Sequence, residues 1–227
     1  MTADPRQLVA LASRVLADQG QDDFIWGHAS VRDERGCWIK SAEWSLAEVT
    51  ADRVQLVGGD GAVLDGDGPR HSEYPIHTEV LAARPDVGAV VHTHPPHAVA
   101  LAAAGQELLP VSHAATMFVP PAVPRFTDTA DLILTPELGA RVAAALGDAP
   151  ALFLVNHGIV AVGPDLQTAT VRAVVLEQAC RQQLLTRSFG GRPSWSPDEE
   201  ARAKREHVYN DRAVHAVWDL LVRRLPA

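Results

Sequence analysis

The sequence predicts an α/β fold in the broad sense, with a central, largely antiparallel sheet covered by helices. Short apolar runs bounded by Gly and Asp turns outnumber the helical segments that could act as crossovers, and the two kinds of segment follow one another in mixed order. The composition is that of an ordinary globular chain: 227 residues, 47% hydrophobic and 21% charged, with 16 Gly and 16 Pro. That length builds one substantial core without splitting, so a single domain over residues 1–227 is expected, with a helical extension at about 194–227.

Asp4 and Pro5 form an N-cap and a first-turn proline, and Leu8, Ala12, Val15 and Leu16 recur at helical spacing until Gly20. From Phe24 to Val63, short apolar runs alternate with turns at Gly27, Asp33 to Gly36 and Gly58 to Gly61, which predicts a small meander. Within it, Arg53 to Val57 and Ala62 to Leu64 flank a tight hairpin turn. Pro75 to Ala83 is helical and leads into a buried strand over Val87 to His94. Ala98 to Ala104 reads as a small-residue helix, Leu108 to Val111 as a short strand, and Pro120 to Asp128 as a proline-rich loop. A helix starts at Thr135-Pro136-Glu137 and stops at Gly147. Ala151 to Val155 and Ile159 to Val162 are strands joined by Asn156-His157-Gly158, and Leu166 to Leu185 is a long helix. Beyond the break at Gly190, Gly191 and Pro193, Ser196, Pro197 and Glu199 open a last helix running through Val208 to Leu221.

The formal charge of -8 and the 5% aromatic content offer neither a phosphate-binding field nor a base-stacking surface, so nucleic acid is not an expected partner. No apolar run approaches the roughly 20 residues of a membrane span. Cys37 and Cys180 allow one bridge at most and no leader opens the chain, which leads us to expect a cytoplasmic protein with two free, buried thiols.

Of the 10 histidines, six lie between His71 and His113. His92-Thr93-His94 closes a strand, where residues two apart face the same way and can reach one metal. Alone, such a pair carries little weight. His157 on the turn between two strands and Glu73 ahead of a helix complete a set of three imidazoles and one carboxylate, suited to a divalent ion with open positions.

Together with Gly27-His28-Ala29-Ser30-Val31-Arg32, Ser72-Glu73, His77, Val91-His92-Thr93-His94 and Asn156-His157-Gly158, the order and spacing of these pieces resemble the class II aldolase/adducin family. The resemblance runs from the first helix to about Leu185. It implies a class II aldolase-like sheet flanked by helices and a homo-oligomer, with a tetramer favoured and sites at subunit interfaces. It also implies one divalent metal ion per chain (Zn, Mn, Co or Fe) held by His92, His94 and His157, with Glu73 as acid/base.

Several positions depart from the sugar-phosphate aldolases of that family. Their phosphate- and enediolate-binding Asn, Thr-Gly and Ser-Ser are replaced here by His28, Ala42-Glu43 and His71-Ser72, and the place of their catalytic tyrosine falls near Ala114. An acidic side chain in place of donors disfavours a dianionic phosphate. A ring of His28, Lys40, His71, Ser72 and Arg125 suits a small-molecule carboxylate substrate instead. The resemblance is therefore closest to the branch that decarboxylates hydroxylated aromatic or pyridine dicarboxylates, with Glu73 or His28 supplying the proton. Three other readings stay open at this stage: an aldolase for an unphosphorylated hydroxy-keto compound, a non-enzymatic adducin-like interaction module, and an iron-dependent oxygenase.

Other residues have plainer readings. His77 packs or hydrogen-bonds beside the site, while His97, His113, His207 and His215 are structural or solvated. Trp26, Trp38 and Trp44 build core or interface. Arg172, Arg181 and Arg187 form an exposed charged face of the long helix.

Overall fold

The computed structural model describes residues 4–226. Among them, eight strands form one sheet: β1 (His28–Asp33), β2 (Gly36–Lys40), β3 (Val54–Gly58), β4 (Val63–Asp65), β5 (Ala89–Thr93), β6 (Arg125–Phe126), β7 (Ala151–Leu154) and β8 (Gly158–Gly163). The spatial order is β4-β3-β2-β1-β5-β8-β7-β6, and every pairing is antiparallel except β6 with β7. The expected sheet is therefore present, and its antiparallel meander follows from the Gly- and Asp-rich turns.

The helices are α1 (Pro5–Leu16), α2 (Tyr74–Ala83), α3 (Pro96–Ala103), α4 (His113–Thr116), α5 (Pro136–Leu146), α6 (Leu166–Ser188), α7 (Asp198–Val208) and α8 (Asp211–Arg224). Side chains alternate across the strands, so Ala89, Val91, Ile159 and Ala161 join one core with α1, α3 and α6. Val90, Val160 and Val162 face the other way and build a second core with α2 and α5. The two faces make three layers. Gly139 lets α5 cross α2 closely, because a Cβ there would stand 2.5 Å from the Pro75 carbonyl oxygen.

Several expectations are corrected. Leu108 to Val111 pairs with no strand: its backbone is held by Gln183 on α6, which accepts from Leu109 N (2.7 Å) and donates to Glu107 O (2.7 Å). The proline-rich loop contains β6, a two-residue parallel pairing with Phe153 and Leu154 that is too short to leave a periodic signal. The last helix is two helices. Asn210 interrupts it and caps α8 by accepting from Ala213 N (3.0 Å), whereas Ser196 leaves the start of α7 uncapped and accepts from Lys204 Nζ (2.9 Å). No helix among the described residues is long and apolar enough to cross a membrane, and Cys37 and Cys180 are free and buried.

Candidate metal centre

Strand register brings the site together. His28 on β1 lies directly opposite His92 on β5, so both point to the α2 face of the sheet. Helix α2 begins just after Glu73, and Glu73 and His77 share one helical face four residues apart. Glu73 does not cap that helix. Its Oε1 accepts from Ile133 N (2.7 Å) and stands 3.6 Å from His157 Nε2, while its Oε2 stands 3.6 Å from His92 Nε2.

His94 follows the end of β5, and its Nε2 lies 3.1 Å from His92 Nε2. His157 sits on the β7–β8 turn, where Asn156 takes a positive φ of 62°. Gly158 closes that turn against the histidines: a Cβ there would lie 2.6 Å from Thr93 O and 2.7 Å from His94 Cδ2. One ligand atom from each of Glu73, His92, His94 and His157 falls within 4.8 Å of all the others.

This set fits a divalent ion. Donors about 2.1 Å from a tetrahedral ion stand roughly 3.4 Å apart, near the 3.1 Å of His92 from His94 and the 3.6 Å of Glu73 from His92 and His157. His92 Nδ1 donates to Ile159 O (2.9 Å), which leaves Nε2 as a lone pair facing the cluster. Both ring nitrogens of His157 are buried without a hydrogen-bond partner. His94 Nδ1 stands 3.2 Å from Asp23 Oδ2, outside hydrogen-bond alignment. Burial opposes ionisation of Glu73, yet the neighbouring His157 and His92 outweigh it and hold the carboxyl far below its usual range. Burial, then His92 and His157, push His94 down to about 3, so it is neutral and able to ligate.

Beside these four lies a second group of buried histidines. His28 Nδ1 is 2.6 Å from His77 Nε2, and His77 Nδ1 is 2.6 Å from Ser30 Oγ. The His71 and His28 rings are 4.1 Å apart. Burial holds His28, His77 and His71 neutral, helped for His28 by His71 and His77, and His71 is pushed down to about 3 with Lys40 adding to the effect. Nε2 of both His28 and His71 is buried without a partner.

The remaining expected site residues divide. Ser72 is exposed beside His71. Lys40 is fully buried behind it, donating to Ile25 O (2.9 Å) and Trp44 O (2.7 Å), and burial lowers its pKa to about 8. Arg125 is not brought to the cluster. Its guanidinium caps the carbonyls of Ala102 and Gln106 near the end of α3, on the other face of the sheet. A cavity of about 420 Å³ opens over the cluster between Asp23, Trp26, His94, Leu132 and His157, with Phe24, Trp26 and Leu132 exposed near its mouth. Asp23 and Leu132 carry no signal in the sequence, whereas Ser30, within the Gly27-to-Arg32 motif, lies on the face of His28 by the alternation of β1.

The family described as Class II Aldolase and Adducin N-terminal domain matches residues 7–184. The chain belongs to that family. Among curated relatives, the 3,4-dihydroxyphthalate decarboxylase of Terrabacter sp. (strain DBF63) is 35% identical, covering 88% of this chain and 89% of that protein. The 3,4-dihydroxyphthalate decarboxylase of Arthrobacter keyseri is 33% identical, covering 87% and 85%. Among solved structures, L-fuculose 1-phosphate aldolase from Glaciozyma antarctica PI12 superposes with a TM-score of 0.85 at 23% identity, covering 97% of this chain and 88% of that one, a likeness of fold. The chain is thus a class II aldolase family enzyme whose Glu73, His92, His94 and His157 form a candidate metal site.

Proposed function

We propose that this enzyme is a divalent-metal-dependent carbon–carbon lyase that decarboxylates a small hydroxylated aromatic or heteroaromatic carboxylic acid. The observation that carries the reading is the placement of the buried, neutral His28 and His71 beside the Glu73, His92, His94 and His157 cluster. The two decarboxylase relatives support the substrate class.

His92, His94 and His157, with Glu73 beside them, would hold a divalent ion, which when bound would supply Lewis acidity. The chain's own residues handle the proton. Decarboxylation replaces a ring-bound carboxylate with hydrogen: one proton reaches the ring carbon, the bond to the carboxylate breaks, and its electron pair stays with the ring as carbon dioxide leaves. Glu73, held anionic, takes that proton from the substrate's ring hydroxyl and delivers it to the ring carbon, while the neutral His28 donates a hydrogen bond from Nε2. If Ser30 Oγ–H donates to His77 Nδ1, then His77 Nε2–H donates to His28 Nδ1 and the His28 proton is held on Nε2.

His71 Nε2 and the Ser72 hydroxyl offer contacts to a substrate carboxylate, and Lys40 adds positive charge from behind His71. The exposed Phe24, Trp26 and Leu132 near the cavity mouth favour burial against another subunit, consistent with a homotetramer.

The test is carbon dioxide release from a panel of ortho-hydroxy aromatic carboxylates, 3,4-dihydroxyphthalate among them, by protein loaded separately with Zn, Mn, Co and Fe. Stoichiometric release, abolished in His92→Ala/His94→Ala, is expected. No release from any member with any ion would overturn the reading, and an aldehyde product from a hydroxy-keto compound would replace it with an aldolase.

A further inference from the structure

The sheet has a second chemically distinctive end. At the metal centre, β5 and β8 close with the Thr93–Ile159 pair; four rungs away, roughly 13 Å along the strands, the ladder ends at Ala89–Gly163. Beyond that end lies a cavity of about 450 Å³ lined by Arg84, Arg172, Arg205 and Tyr209, with Met117 and Val214 among its apolar walls. The long-helix residue Arg172, expected on an exposed face, instead points inward and is partly buried, donating from Nη1 to Val162 O (2.6 Å).

The charges here are unequal in their partners. Arg84 is neutralised by a two-pronged pair with Asp86 (2.8 and 2.6 Å). Among the described residues, neither Arg172 nor Arg205 forms an ion pair. Arg205 uses two donors on the carbonyls of Thr116 and Pro120. A guanidinium has five N–H donors, so both arginines keep unused ones at the cavity.

The nearby acids are engaged or peripheral. Asp165 accepts from Thr168 N (2.7 Å) and pairs with His215 (3.0 Å), and Asp148 is an exposed residue on the cavity lining. Asp211 is exposed in the first turn of α8. Burial lowers the Arg172 pKa against the opposing pull of Asp165, Asp211 and Asp86, none of which forms an ion pair with it. Two planar forks with free donors match a carboxylate, and the size and apolar walls match a small organic body.

We propose that this cleft, remote from the metal centre, is a binding site for a small organic carboxylate held by Arg172 and Arg205, with its apolar body against Met117 and Val214.

Calorimetric titration of the full chain with phthalate, and separately with inorganic phosphate, tests this. The His92→Ala/His94→Ala background removes the contribution of the metal centre. Saturable phthalate binding is expected to survive in that background and to weaken at least tenfold on adding Arg205→Gln or Arg172→Gln, with phosphate binding more weakly than phthalate. Arg205 lies near the surface, so Arg205→Gln keeps the test decisive even where the Arg172 variant does not fold; circular dichroism and melting verify each protein. Absence of saturable phthalate binding in the double-histidine background, or an unchanged Kd in a folded Arg205→Gln, would overturn the proposal. Phosphate binding as tight as phthalate would also overturn it, leaving a bare oxyanion site.

Discussion

His77 Nε2 lies 2.6 Å from His28 Nδ1, inside the contact between α2 and the sheet, and Ser30 Oγ lies 2.6 Å from the other nitrogen of the same His77 ring. Each proton position in this chain dictates the next. Under the proposed function, His77 and Ser30 position His28 without touching substrate. Ser30→Ala is expected to lower kcat about tenfold or more while leaving KM within about twofold, because one tautomer of His28 is no longer enforced. A kcat/KM pH profile identical to that of the parent protein would argue against this coupling.

Metal removal is the most direct check on the cluster. Elemental analysis should find about one divalent ion per chain and none in His92→Ala/His94→Ala. Adding the ion to chelator-treated protein at 100 times its Kd should stabilise it by about 2.7 kcal/mol, read as a raised Tm. A Tm indifferent to every candidate ion contradicts the assignment.

The pH dependence of the metal-free protein has a defined sign. His28, His71, His77 and His94 all have folded-state pKa values below the ordinary histidine range, with burial the first cause in each. The unfolded chain protonates these rings near pH 6.5, whereas His71 and His94 resist protonation until about 3 when folded. Between those limits the unfolded state binds more protons, so stability falls as pH falls, by about 1.4 kcal/mol per pH unit for each such ring. A urea midpoint lower at pH 5 than at pH 7.5 is expected; an equal or higher one contradicts the burial described.

Gly158→Ala tests whether the turn that carries His157 is built to its neighbours. The added Cβ would lie 2.6 Å from a backbone oxygen of β5, which cannot yield as a flexible side chain would. A loss of about 1–3 kcal/mol in stability is expected from overpacking. Metal retention should fall with it, since the same atom also presses on His94 and His92, and equilibrium dialysis measures that directly.

Much of the site was legible because its geometry is local. The alternation of β5 into the turn after it and the four-residue spacing on α2 place His92, His94, Glu73 and His77 by rules of period alone. Gly158 after His157 marked a turn in the same way. Lys40 and Arg125 read equally well as binding residues, because a cation in sequence does not reveal which carbonyls it will meet. In the fold, Lys40 holds the backbone of Ile25 and Trp44, and Arg125 holds the end of α3.

By itself, the sequence determined the fold class, the helix and strand periods, most turns and the four-residue donor set, since each depends on stereochemistry within a few residues or on motif order. The tertiary structure decided what depends on contacts between distant segments. Gln183, 74 residues beyond Leu109, converts an expected strand into a pinned extended segment. Arg172 turns inward because the carbonyl of Val162 at the end of β8 lies within its reach. A buried polar group takes whichever partner the packed fold brings to it, and short-range periodicity carries no record of that choice.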